Sequence, residues 1–156
     1  PAPPAPEAPA PAPAPPEPRE HEAVWAERVR DHADRGELEE AGRACAAALD
    51  RHPQAPELHY LHAVLLSEAR RFRDAAGAAR RALYLDRGLA VAHLALGTAL
   101  ARDGEREGAA RALRAAAHLL EALPPGQAVP ASGGETAARL LAGARAQLRL
   151  LEGAEE

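Results

Sequence analysis

The chain holds no methionine, lysine, isoleucine or asparagine, and one cysteine among its 156 residues. Each absence excludes something. A single thiol, Cys45, rules out an internal disulfide and suits a reducing compartment. Without lysine, all 19 cationic side chains are arginine, and a net charge of −4 exerts no global pull toward nucleic acid or membrane. Aromatic residues make up 3 %, too few for a run of base-stacking platforms. No apolar run is long enough to span a bilayer and no charged-then-apolar leader occurs, so a cytoplasmic protein is expected. A chain that begins at Pro1 and contains no methionine reads as a piece of a longer protein. Its wealth of Ala, Arg, Pro, Gly and Leu points to a GC-rich bacterial genome. Phosphate-binding and nucleophile-elbow patterns are missing, and nothing assembles a nucleophile, base and oxyanion site. Neither catalytic residues nor a metal site are expected.

What is present divides in two. "PAPPAPEAPAPAPAPPEPRE", Pro1 to Glu20, alternates proline with alanine and has almost no side chain to bury. Proline fixes φ and removes backbone donors, so residues 1–21 are expected to be a linker, disordered or extended in the polyproline-II manner. The remaining residues, roughly 130, suffice for a modest core.

That remainder repeats. Trp25, His59 and His93 lie 34 apart, as do Ala41, Ala75 and Ala109, and again Ala48, Ala82 and Ala116. Gly36, Arg70 and Gly104 coincide at the turn between paired helices, which sets units at 22–55, 56–89 and 90–123. Small residues at these positions let two helices cross closely, and alanine costs little to place in a helix. The bulkier Trp25, Leu66, Leu83, Leu96, Leu100 and Leu113 are expected to fill the volume between them. The period and its residue pattern resemble the tetratricopeptide repeat. That likeness implies an all-α solenoid of three helix-turn-helix repeats. "LPPGQAVPASGG" then breaks the register, with 124–134 read as a loop, 135–151 as a capping helix and 152–156 as a tail.

Helical periodicity places His93, Leu96, Gly97 and Leu100 on the face turned to the partner helix. The opposite face carries Val91, Leu94, Thr98 and Arg102 in the third unit. The second unit offers Glu57, Tyr60, Val64 and Glu68 there, and the first Ala23, Ala26, Arg30 and Asp34. If these first helices line the concave side, Tyr60, Val64, Val91 and Leu94 form an apolar strip flanked by Arg30 and Arg102. Such a strip suits a peptide or helix from a partner protein. The candidate groove is therefore Arg30, Glu57, Tyr60, Val64, Val91, Leu94, Thr98 and Arg102.

Three other features are read as scaffold. His59 and His62 stand at chelating i,i+3 spacing, yet both occupy packing positions of the repeat and no third ligand joins them. Cys45 sits where the repeat wants a medium apolar residue and reads as a buried, inert thiol. Arg70, Arg71, Arg73, Arg80, Arg81 and Arg87 read as a solvated outer face, with a basic dock for an acidic partner or RNA as the alternative.

"RRALYLD", "AHLALG", "GEREGAARALRAA" and "LLEALPPGQAVPASGGETAARLL", with "PELHYLHAVLL" before them, resemble the C-terminal repeat module of CheR-type chemotaxis receptor methyltransferases. The chain departs from that pattern at "DRG", where Asp-Pro is usual, and at "GGET". The resemblance implies a non-catalytic module in a sensory complex, tethered by the Pro/Ala tract to an enzyme that methylates receptor glutamates with S-adenosylmethionine. That cofactor would belong to the parent enzyme, since the catalytic domain is not in this chain. The competing readings are a free-standing adaptor or scaffold and a domain that inhibits its own enzyme. Chaperone-tail repeats grip a terminal carboxylate with lysine and asparagine, and this chain has neither.

Overall fold

Alanine-rich stretches punctuated by short turns form seven helices in the computed structural model, which describes residues 2–11 and 18–153. They are α1 (Pro18–Asp34), α2 (Leu38–Arg51), α3 (Pro56–Glu68), α4 (Phe72–Leu85), α5 (Ala90–Arg102), α6 (Arg106–Glu121) and α7 (Ala137–Gly153). Residues 2–11 have no secondary structure and are exposed, and part of the remaining Pro/Ala tract lies outside the described residues. Helix α1 begins at Pro18, inside the stretch read as linker. Proline is tolerated in a helix's first turn, where its missing N–H has no partner to lose.

Three turns of similar build fold each pair back on itself. Gly36, Arg70 and Gly104 adopt left-handed backbone, with φ of 75°, 61° and 84°. The following amides of Glu37, Arg71 and Glu105 each bond back to the carbonyl five residues earlier, all at 2.9 Å. This is the Schellman arrangement, which satisfies carbonyls that the helix end leaves free. Between units the turn is closed by histidine. His59 Nε2–H donates to the Pro53 carbonyl at 2.7 Å, and His93 Nε2–H donates to the Arg87 carbonyl at 3.0 Å. One repeat position thus performs the same task twice, six residues back each time.

The core is mostly alanine. Ala41, Ala75 and Ala109 are fully buried, as are Ala48, Ala82 and Ala116, which lets the paired helices cross at close range. Gly97 marks the tightest approach: a Cβ there would stand 2.7 Å from Leu113 Cγ. Leu58, Leu113, Leu120 and Val29 fill the larger spaces, each worth about 1.5–3 kcal/mol on burial. Trp25 is only half-buried, with the Arg28 guanidinium 4.9 Å from its ring centre. Cys45 is fully buried, its thiol donates to the Leu58 carbonyl at 3.6 Å, and burial pushes its pKa up to about 11.

Helix α7 packs antiparallel against α6: Ala137 shares a cluster with Leu120, while Leu151 lies against the cluster containing Ala109. Arg145 pairs with Glu121 at 2.9 Å across the same contact. The segment before α7 is folded back on itself. Val129 N–H bonds the Glu135 carbonyl at 2.8 Å, and Ala137 N–H bonds that of Gln127 at 2.9 Å. The Ser132 hydroxyl lies 2.6 Å from the Val129 carbonyl. Val129 is 4 % exposed and anchors this loop among Leu89, Ala90 and Val91.

Candidate functional site

Helices α1, α3, α5 and α7 contribute to one side of the solenoid, and a cleft runs across it. Its larger part, about 460 Å³, is lined by Tyr60 and Val64 of α3, Val91, Leu94 and Thr98 of α5, and Leu140 and Gln147 of α7. Glu68, Glu135 and Arg139 stand at the same cavity and give it a charged margin of both signs. A second part, about 300 Å³, continues from Tyr60 and Val64 toward Arg30 and Asp34 of α1. Ser132 and Glu135, from the loop before α7 and its end, line both parts.

The sequence-derived groove residues divide among three situations. Tyr60, Val64, Leu94 and Thr98 come together in the larger cleft and remain half-buried. Val91 also reaches it, but at 3 % exposure it is a core residue and offers little surface. It was expected in the open apolar strip; instead it is buried in one cluster with Val129 and Ala137, against which Leu140 packs. Ala26, on the corresponding face of the first unit, is likewise buried. The two arginine margins part company: Arg30 stands at the smaller part of the cleft and Arg102 at neither part. Arg30 pairs with Glu57 and donates to the Ala131 carbonyl at 3.0 Å, tying α1 and α3 to the loop. Arg102 is absent from the cleft lining, and its guanidinium stands over the Phe72 ring, 4.9 Å from the centre.

Ser132, Glu135, Arg139, Leu140 and Gln147 belong to the site and were not anticipated. The available signal was the broken register at Pro124, read only as the approach to a cap. The cap proves to be a wall of the cleft, and Thr98 donates to Gln147 Oε1 at 3.1 Å to join α5 and α7. Burial raises the Tyr60 phenol above its ordinary pKa; Arg30 opposes the rise and Glu57 adds to it. Tyr60 is therefore a neutral hydroxyl at physiological pH, an apolar wall with a polar tip.

Solved structures decide the architecture. The first TPR domain of Spaghetti (RPAP3), bound to the HSP90 peptide SRMEEVD, superposes with a TM-score of 0.69 at 18 % identity, covering 86 % of this chain and 93 % of that one. The chain has the tetratricopeptide-repeat (TPR) fold. The type III secretion translocator chaperone SycD of Yersinia enterocolitica gives a TM-score of 0.75 at 11 % identity, over 90 % of this chain and 89 % of that one. PcrH, in complex with the chaperone-binding region of PopD, gives 0.74 at 12 % identity, over 88 % and 96 %. No family model matches the sequence, and no curated protein matches it. At such identities the likeness carries the fold alone. Within the TPR frame, α1, α3 and α5 are the first helices of the three units, and α7 extends their row.

Proposed function

We propose that this TPR chain is a non-catalytic module that binds a segment of a partner protein in the cleft between α3, α5 and α7. The observation that carries this reading is the cleft itself, apolar at its base through Tyr60, Val64, Leu94 and Leu140, with Glu68, Glu135 and Arg139 at its margin. That composition suits an apolar anchor side chain on a peptide or helix with polar flanks. Peptide-bound structures among the neighbours, those with the HSP90 peptide and with the PopD region, support it. Carboxylate capture by lysine and asparagine is unavailable to this chain, which contains neither.

Selection of peptides from a displayed random library on the intact chain tests the reading. Peptides enriched by the wild type should lose at least about tenfold in affinity for Leu94→Ala, an apolar anchor wall, and for Tyr60→Ala. Both variants should keep their helical circular dichroism. Unchanged binding in both would remove the cleft from consideration.

The finer reading is that the module serves a CheR-type receptor methyltransferase in bacterial chemotactic signalling. Support for it is the residue pattern from Arg81 to Leu151, including the Leu-Pro-Pro loop and final helix. On that reading S-adenosylmethionine is held by the catalytic domain of the parent, and the Pro/Ala tract raises the local concentration of one domain near the other. A free-standing adaptor accounts equally for the fold. The reading frame upstream of Pro1 separates them: a methyltransferase domain there favours the enzyme module, and its absence favours the adaptor.

A further inference from the structure

Away from the cleft, one surface patch departs from what the repeat scaffold needs. Tyr84, near the end of α4, is 88 % exposed, and its neighbour Leu85 is also exposed. With Arg80, Arg81, Pro53 and His59 they line a cavity of about 340 Å³. The 34-residue register supplies an internal control. Where the second unit has Tyr84, the first and third have Asp50 and His118; where it has Arg81, they have Ala47 and Ala115. Arg80 corresponds to Ala46 and Arg114. The fold is therefore built without this combination twice in the same chain, and packing does not account for it.

Charge points to the occupant. Arg71 and Arg73 of the same unit face the carboxylates of Asp74 and Asp103. Arg80 and Arg81, by contrast, have no carboxylate partner among the described residues, and no acidic side chain lines their cavity. An exposed aromatic ring beside two unpaired guanidinium groups offers an apolar wall and a place for carboxylates.

We propose that the Arg80–Arg81–Tyr84 patch is a second docking surface, independent of the cleft, for an acidic segment of a partner protein. Carboxylates of that segment pair with the two guanidinium groups, and an apolar side chain between them lies against Tyr84 and Leu85 above Pro53. A single exposed ring argues against single-stranded RNA, which is held by stacking successive bases on several rings.

Fluorescence anisotropy on the full chain tests this, using a short labelled peptide of glutamates interspersed with leucine and proline. Its glutamine counterpart and an oligouridylate serve as the other probes. The glutamate peptide should bind saturably at low salt and weaken at high salt, and Arg80→Gln with Arg81→Gln should cost at least about tenfold. Tyr84→Ala should weaken it separately, while Tyr60→Ala and Leu94→Ala in the cleft should leave it unchanged. All these patch side chains are at the surface, so circular dichroism should match the wild type. Absence of saturable binding, equal binding of the glutamine peptide, preference for the oligouridylate, or loss only in the cleft variants would each overturn the proposal.

Discussion

At the scale of single residues, histidine in this chain stands in two distinct situations set by its surroundings. His59 and His93 close the turns between units through Nε2, which makes them scaffold. His62, three residues from His59, points a buried Nδ1 at no hydrogen-bond partner. Burial lowers its pKa, aided by the nearby His59, Arg81 and Arg71 charges and opposed by Asp74. The unfolded chain, with a histidine pKa of about 6.5, then binds the proton more readily than the folded one. The resulting stability is present above that value and is lost as pH falls through it toward the lowered folded pKa. His62→Gln should therefore show a smaller drop in melting temperature than the wild type between pH about 7.5 and about 5.5. Equal drops would remove His62 as a source of acid sensitivity.

At the scale of elements, the turns within pairs show how a repeat tolerates an unfavourable residue. Two of the three left-handed positions are glycine, and the third is Arg70 with φ 61°. A side chain in that region costs about 1–2 kcal/mol, offset in part by the larger freedom glycine has when unfolded. Arg70→Gly should raise stability by about 0.5–1 kcal/mol, read as a higher urea midpoint with unchanged slope. The same Schellman bonds should remain, because the glycine units already make them. The turn was legible in the sequence from the coincidence of Gly36, Arg70 and Gly104, although arginine alone would not have marked it.

At the scale of the whole molecule, the last helix and its loop decide how much of the inner face is left open. Val129 and Ala137 join Leu89, Ala90, Val91 and Leu120 in one buried cluster, with Leu140 and Leu141 packed against it. A chain ending after Gly134 should lose stability of order 3 kcal/mol and expose enough apolar surface to bind a hydrophobic dye. A urea midpoint equal to that of the full chain would show that α7 closes nothing. The same segment narrows the site: Arg30 is drawn to the loop, and the open apolar surface contracts to the cleft around Tyr60, Val64, Leu94 and Leu140.

The repeat by itself determined the helix pairs, their turns and the alanine contacts, because a 34-residue period leaves few ways to bury alanine and leucine on matching faces. It also placed Tyr60, Val64 and Leu94 on one side of their helices, since direction around a helix follows from spacing. Tertiary structure alone decided what covers that side. Val91 and Ala26 were expected at the surface because periodicity describes one helix at a time and knows nothing of a segment arriving from far along the chain. Arg102 was expected at the groove's edge for the same reason, and its long side chain turns to Phe72 instead; Arg30 does line the smaller part of the cleft, where it is held by Glu57 and Ala131. Local spacing sets which face a residue occupies, and only the packed molecule sets whether that face meets water, a neighbour or a partner.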